Sequence, residues 1–269
     1  MRPTTICMIN QKGGCGKSST CFHLAGNLAQ NGARVLLLDA DPQGSLSQGF
    51  FGAELVEQLE RHETVATLFQ NELPPASDAL CQATAYDRIN ILRANQYLAP
   101  HNEPCPEKLG LSQYSLESYL SSVTQFDVIL IDCPPNLYAC SWNALLASDF
   151  VLIPVPPEDF GTQGLRPVHQ AITNAQQLNP RLTLLGQLVT RSDRRLLVHQ
   201  AYERELRQIY GASVLRTVVP EVSAFKVALA CRKPVSYYAP RSRAACVMQD
   251  LALEIAERTG VEYCQARIA

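Results

Sequence analysis

Asn10-Gln11-Lys12-Gly13-Gly14-Cys15-Gly16-Lys17-Ser18-Ser19 is the stretch on which the reading of this chain turns. It stands between a short apolar run, Thr4–Ile9, and a helical pattern from Lys17 to about Asn31 that Asn31-Gly32 stops. Small residues at 13, 14 and 16 let successive backbone N–H groups turn inward onto phosphate oxygens. A helix starting beneath them adds the positive end of its dipole. Lys17 is then placed to reach the β- and γ-phosphates, and the Ser18 hydroxyl to ligate Mg²⁺. Gln11 departs from the general G-x-x-x-x-G-K-[ST] pattern, which has glycine there. The strand–loop–helix context nonetheless marks Lys12 through Ser19 as a phosphate-binding loop.

Working outward, apolar strands and helical stretches alternate to the end of the chain. Arg34–Asp39 (RVLLLD), Ile89–Arg93, Phe126–Asp132 (FDVILID), Phe150–Pro154, Leu182–Thr190 and Ser213–Val219 read as strands. Thr162–Leu178, Leu196–Tyr210 and about Arg243–Glu257 read as helices, while Pro42–Pro106 is the least regular segment. Near-continuous apolar strands separated by helices predict an α/β fold, a mostly parallel central sheet with helices on both faces. No repeat or Gly/Ser-rich linker interrupts the pattern, so residues 1–269 are expected to form one domain.

Two carboxylate sites fall where a phosphate-binding sheet needs them. Asp132 ends FDVILID and is followed by Cys133-Pro134-Pro135. An acidic residue at the carboxyl end of a buried strand suits a Mg²⁺ partner. Asp39 and Asp41 end RVLLLD in Asp39-Ala40-Asp41-Pro42-Gln43-Gly44. Two carboxylates this close repel unless a cation lies between them. Turn or helix capping is the plainer alternative for both motifs, since Asp before Pro or Gly is common in turns.

Composition narrows the setting. The chain has 269 residues, 46% hydrophobic and 18% charged, with a net charge of −2. Residues 191–243 carry eleven Lys/Arg against four Asp/Glu, an excess of +7 that leaves about −9 elsewhere. Such asymmetry points to a basic face on an acidic body. Ile6–Ile9 is too short for a signal peptide, and no apolar run approaches the roughly 20 residues of a membrane span. None of the ten cysteines shows C-x-x-C spacing, and Cys7, Cys21, Cys133 and Cys140 read as reduced core thiols of a cytosolic protein.

KGGCGKSS, DADPQGS and IDCPP, in this order, resemble the deviant Walker A ATPases, the ParA/MinD group that positions plasmids, chromosomes and other cargo. The resemblance spans nearly the whole chain and implies ATP and Mg²⁺ as ligands. It implies that Lys12 is the signature lysine, which crosses the interface of a nucleotide-sandwich homodimer to the partner's phosphates. Gly13, Gly14, Cys15, Gly16, Lys17, Ser18 and Ser19 are the implied nucleotide contacts. Asp41 is similar to the switch I aspartate that orients the attacking water, with Asp39 nearer the metal. Asp132, with Ser18 and Asp39, completes the implied metal set. Lys12, Lys17 and Asp41 are the implied catalytic residues. Thr190, Arg191 and Pro220 fall where the family holds adenine, with Thr190 standing where relatives often have Asn.

The branch follows from what surrounds these motifs. MinD-like members end in a basic amphipathic helix that binds membrane. Val261–Ala269 is too short and too weakly basic for that, so no membrane partner is expected. No cysteine motif suits an iron–sulfur cluster, and the phosphate loop begins too early for a preceding operator-binding domain. The resemblance is thus to small ParA-type ATPases, which bind nucleoid DNA nonspecifically and answer to a ParB-like or cargo-adaptor partner. Arg191, Arg194, Arg195, Lys226, Arg232, Lys233, Arg241 and Arg243 are the candidate DNA contacts. A solvated polar face with Glu203 and Glu205 as local partners is the alternative. Glu221 stands where many relatives have a basic residue, with Lys226 as a substitute.

Overall fold

The computed structural model describes residues 2–70, 80–157 and 162–261. In chain order the regular elements are β1 (Thr4–Met8), α1 (Lys17–Gln30), β2 (Val35–Asp39), α2 (Ser45–Phe51), α3 (Ala53–Glu57), β3 (Gln82–Ala83) and β4 (Ile89–Leu92). Next come α4 (Ser115–Ser121), β5 (Val128–Asp132), α5 (Ala139–Ala147), β6 (Phe150–Val155), α6 (Arg166–Leu178) and β7 (Thr183–Ser192). The last are α7 (Leu197–Tyr210), β8 (Val214–Pro220), α8 (Ser223–Ala230), α9 (Val235–Tyr238) and α10 (Arg243–Thr259).

The strands form one eight-stranded sheet in the order β3-β4-β2-β5-β1-β6-β7-β8. All neighbours are parallel except β3 on β4. Its central strands are apolar on both faces because helices cover both. Ile6 and Met8 of β1 face a core with Phe22 and Leu24 of α1 and Met248 and Leu251 of α10. Cys7, with Ile9 just past the strand, faces the opposite core, where Tyr119 of α4, Leu145 of α5 and Val168 of α6 pack. The expected α/β architecture is therefore present.

Register sets the site. In the order β2-β5-β1, Asp39 lies beside Asp132 and Asp132 beside Met8, so both carboxylates and the loop after β1 share one end of the sheet. Three local readings change. Within Pro42–Pro106 the described residues are more ordered than their composition suggested: α2, α3 and β3 lie there with several short 3₁₀ segments. Thr162–Leu178 is not one α-helix, since a 3₁₀ turn covers Thr162–Leu165 and α6 starts at Arg166 with Pro167 in its first turn. The sequence also left α8 unread. The reading of the C-terminal tail falls, past Val261, outside the described residues.

Candidate functional site

The loop after β1 is held from outside so that its inside stays open. Gly14 (φ 70°) and Gly16 (φ 94°) are left-handed, a conformation glycine takes without strain. Asn10 donates through Nδ2 to Pro154 O at 2.7 Å and accepts from the Lys12 N–H at 3.0 Å, pinning the loop to β6. The buried Lys17 ammonium donates to Asn10 O at 3.0 Å and to Lys12 O at 3.3 Å, bracing one side of the turn. From β7, Thr190 Oγ1 donates to Cys15 O at 2.7 Å and Arg191 Nη1 to Gly14 O at 3.0 Å. Planar peptides with carbonyls drawn outward turn their N–H groups inward. This is an anion cradle on a helix start.

The three carboxylates differ in what they already hold. Asp39 is fully buried, yet Oδ1 accepts from the Asp41 N–H (3.1 Å) and Oδ2 from the N–H and hydroxyl of Ser47 (2.8 Å each). Burial still pushes it up to about 7 against the help of Ser47. Asp41 accepts from the Gln43 N–H at 2.9 Å and reaches the cavity wall; burial raises it, and Lys17 opposes the rise. Asp132 is the exposed need. It is fully buried, and neither oxygen meets a donor in hydrogen-bonding geometry among the described residues. Burial raises its pKa well above the ordinary carboxylate value and the neighbouring Asp39 adds to this, while the Ser18 hydroxyl is close enough only to ease the charge. A buried carboxylate with unmet acceptors beside a serine hydroxyl fits a hydrated divalent cation.

Beside the cradle a cavity of about 390 Å³ opens between the loop, Asp41, Ser45 and Pro135 on one side and β7, β8 and α8 on the other. Thr190, Arg191 and Pro220, the expected base-side residues, do line it. Val222, Phe225 and Leu229 line it as well and were not singled out from sequence. Their three- and four-residue spacing was the available signal, because α8 puts Phe225 and Leu229 on one face and Val222 caps its start. Ser47 was also missed; its hydroxyl joins Asp39 to the Ala94 N–H (3.0 Å), tying α2 to the strand ends.

This geometry has counterparts. Residues 3–184 match the family described as AAA domain. The sporulation initiation inhibitor protein Soj of Bacillus subtilis is 33% identical over 253 residues, 93% of this chain and 97% of that one. The chain belongs to the ParA/MinD family of P-loop ATPases. Another family relative, the chromosome partitioning protein ParA of Caulobacter vibrioides, is 30% identical over 257 residues, 94% of each chain. Among solved structures, cobyrinic acid a,c-diamide synthase from Mycobacterium smegmatis, with bound ATP analog and magnesium, matches with TM-score 0.78 and 26% identity, covering 96% of this chain and 97% of that one.

In this ParA/MinD-family chain the eight candidate DNA contacts are not equivalent. All but Arg191 are exposed, and Arg194, Lys233, Arg241 and Arg243 differ from the rest in their surroundings. Arg195 is held by Asp193, Nη2 to Oδ2 at 2.7 Å. Arg191 and Lys226 both lie on Glu221, at 3.1 and 2.5 Å. The Arg232 guanidinium packs over Gly52, and its carbonyl accepts from the Tyr86 hydroxyl at 2.8 Å. Among the described residues no helix is long and apolar enough to cross a membrane.

Proposed function

We propose that this chain is a Mg²⁺-dependent ATPase of the ParA type, which dimerises around ATP, binds DNA without sequence preference and positions a plasmid, chromosome or protein cargo in the cytoplasm. The observation that carries the reading is the pairing of a braced phosphate cradle with Asp132, a buried carboxylate at the same end of the sheet with only the Ser18 hydroxyl near to ease its charge. The names and near full-length coverage of the Soj and ParA relatives support partitioning as the purpose. The magnesium and ATP analog of the Mycobacterium smegmatis structure support the ligands.

In this reading the N–H groups of Gly13 to Ser19 hold the phosphates, and Lys17 leaves its own loop carbonyls for them. Ser18 and Asp132 hold the metal, with Asp39 behind them fixing α2 through Ser47. When bound, Mg²⁺ supplies charge neutralisation for the phosphates. Asp41 orients the attacking water, and Lys12 serves the second subunit's nucleotide. Thr190, Arg191, Val222, Phe225 and Pro220 wall the base. A ParB-like or adaptor protein stimulates turnover, and the nucleoid is the track.

The test is ATP binding and hydrolysis with and without Mg²⁺ for wild type, Lys17→Ala and Lys12→Ala. Lys17→Ala should weaken ATP binding on the order of a hundredfold, since it removes a buried ammonium aimed at phosphate. Lys12→Ala should bind ATP like wild type and lose hydrolysis and dimerisation. Equal loss of binding in both variants would place Lys12 in its own subunit's site. Wild-type turnover that is Mg²⁺-independent would sink the whole reading.

A further inference from the structure

Arg191 does more than line the cavity. Its backbone is left-handed (φ 53°), a strained conformation for a residue with a side chain, where the β7–β8 register shifts between Val189 and Ser192. That irregularity aims the guanidinium back across the site. Nη1 donates to Gly14 O at 3.0 Å and Nε to Glu221 Oε2 at 3.1 Å. The other Glu221 oxygen takes Lys226 of α8 at 2.5 Å, and the Glu221 N–H donates to Ser192 O at 3.0 Å. A continuous chain of polar contacts thus runs from the phosphate loop through Arg191 and Glu221 to α8.

We propose that Arg191 is a positioning residue for the phosphate-binding loop, that Glu221 is its anchor, and that the pair sets nucleotide affinity and links it to α8. The proposal rests on the nucleotide reading above. The Gly14 carbonyl and the Cys15 N–H belong to one planar peptide and point in opposite directions. Holding the carbonyl outward therefore holds that N–H toward the phosphates. Without the guanidinium the left-handed Gly14 is free to rotate, and binding must then order it. A guanidinium suits the task because its fork reaches two acceptors in fixed directions, which one ammonium does not.

Glu221 gives the proposal a sign. It is a carboxylate on the rim of an anion site, so on charge alone its removal should tighten nucleotide binding. As the anchor of Arg191, its removal should weaken binding instead. The experiment measures affinity for a fluorescent ATP analogue with Mg²⁺, and for tripolyphosphate by competition. The proteins are wild type, Glu221→Gln, Arg191→Met, Arg191→Lys and the Glu221→Gln/Arg191→Met double variant, each checked for an unchanged melting temperature. Glu221→Gln and Arg191→Met should each weaken both ligands about tenfold, and the double variant by no more than either alone. Arg191→Lys should recover little. Unchanged or tighter ATP binding by the near-isosteric Glu221→Gln overturns the proposal. So does a loss in Arg191→Met confined to ATP, which would make Arg191 a base contact and nothing more. Wild type that binds no ATP would overturn the nucleotide reading itself.

Discussion

His23, on the helix that starts under the phosphate loop, accepts from the Val235 N–H through Nδ1 at 3.0 Å. Its ring packs between Phe22 and Phe225, with centroids 5.1 and 5.0 Å away, and Nε2 makes no well-formed hydrogen bond among the described residues, the Phe225 backbone only easing protonation. Burial lowers its pKa from 6.5 to about 4. The unfolded chain therefore takes up this proton first as pH falls. The stability His23 contributes is complete above pH 6.5 and is lost progressively down to about pH 4, about 3 kcal/mol in all. Asp39 acts oppositely: with its pKa raised to about 7, the folded chain holds a proton there that the unfolded chain has released, so stability falls as pH rises from about 4 toward 7. The difference between wild type and His23→Leu cancels the Asp39 contribution. Urea unfolding of both between pH 4 and 7 should show wild type losing about 3 kcal/mol more than the variant on acidification. Parallel curves would mean that His23 takes up its proton in the fold as readily as in the unfolded chain.

At the scale of elements, close packing of α1 decides what its sequence tolerates. Gly26 faces α9, and a methyl group there would overlap Pro234 and press on Ser236. Gly26→Ala should gain helix propensity yet lose about 1–3 kcal/mol overall, because Pro234 is held in place by the buried Val235 after it, whose N–H donates to His23. Thermal melting checks this, and a variant more stable than wild type would show that α9 is not seated as described. The same distinction explains what the sequence revealed. Long apolar strands and the helices α1, α7 and α10 were legible because each repeats one period over many residues. The elements α2 and α3, of seven and five residues, are too short to show a period, and their glycine-rich starts read as loop. The phosphate loop and Asp132 were legible as motif and strand end. The Ser47 anchor on Asp39, the Arg191–Glu221 bridge and the α8 wall were not. The first two join residues apart in sequence or depend on one left-handed backbone, which a local pattern does not record, while the spacing in α8 runs over only eight residues, too few to stand out.

For the whole molecule, the proposed dimer is what would join charge distribution to nucleotide chemistry. Seven of the eight basic candidates are exposed, all but Arg191, and three of the eight, Arg191, Arg195 and Lys226, are neutralised in part by Asp193 or Glu221. A single subunit offers this one set of phosphate contacts, and the proposed dimer would double it. Log affinity falls by about 0.9 per neutralised phosphate for each decade of salt, so a dimer's DNA binding should be both tighter and steeper in salt than a monomer's. Gel shifts on unrelated duplexes should show binding with ATP, little with ADP, and equal weakening on all sequences for Lys233→Glu with Arg243→Glu. A sequence-dependent loss would indicate base readout. The central claim, a dimer built on ATP, is tested most directly by size-exclusion chromatography with light scattering on Asp41→Ala. Asp41 is assigned to the attacking water and not to nucleotide capture, so the variant with ATP and Mg²⁺ should run at twice the monomer mass and return to monomer with ADP. A monomer that retains bound ATP would contradict the account.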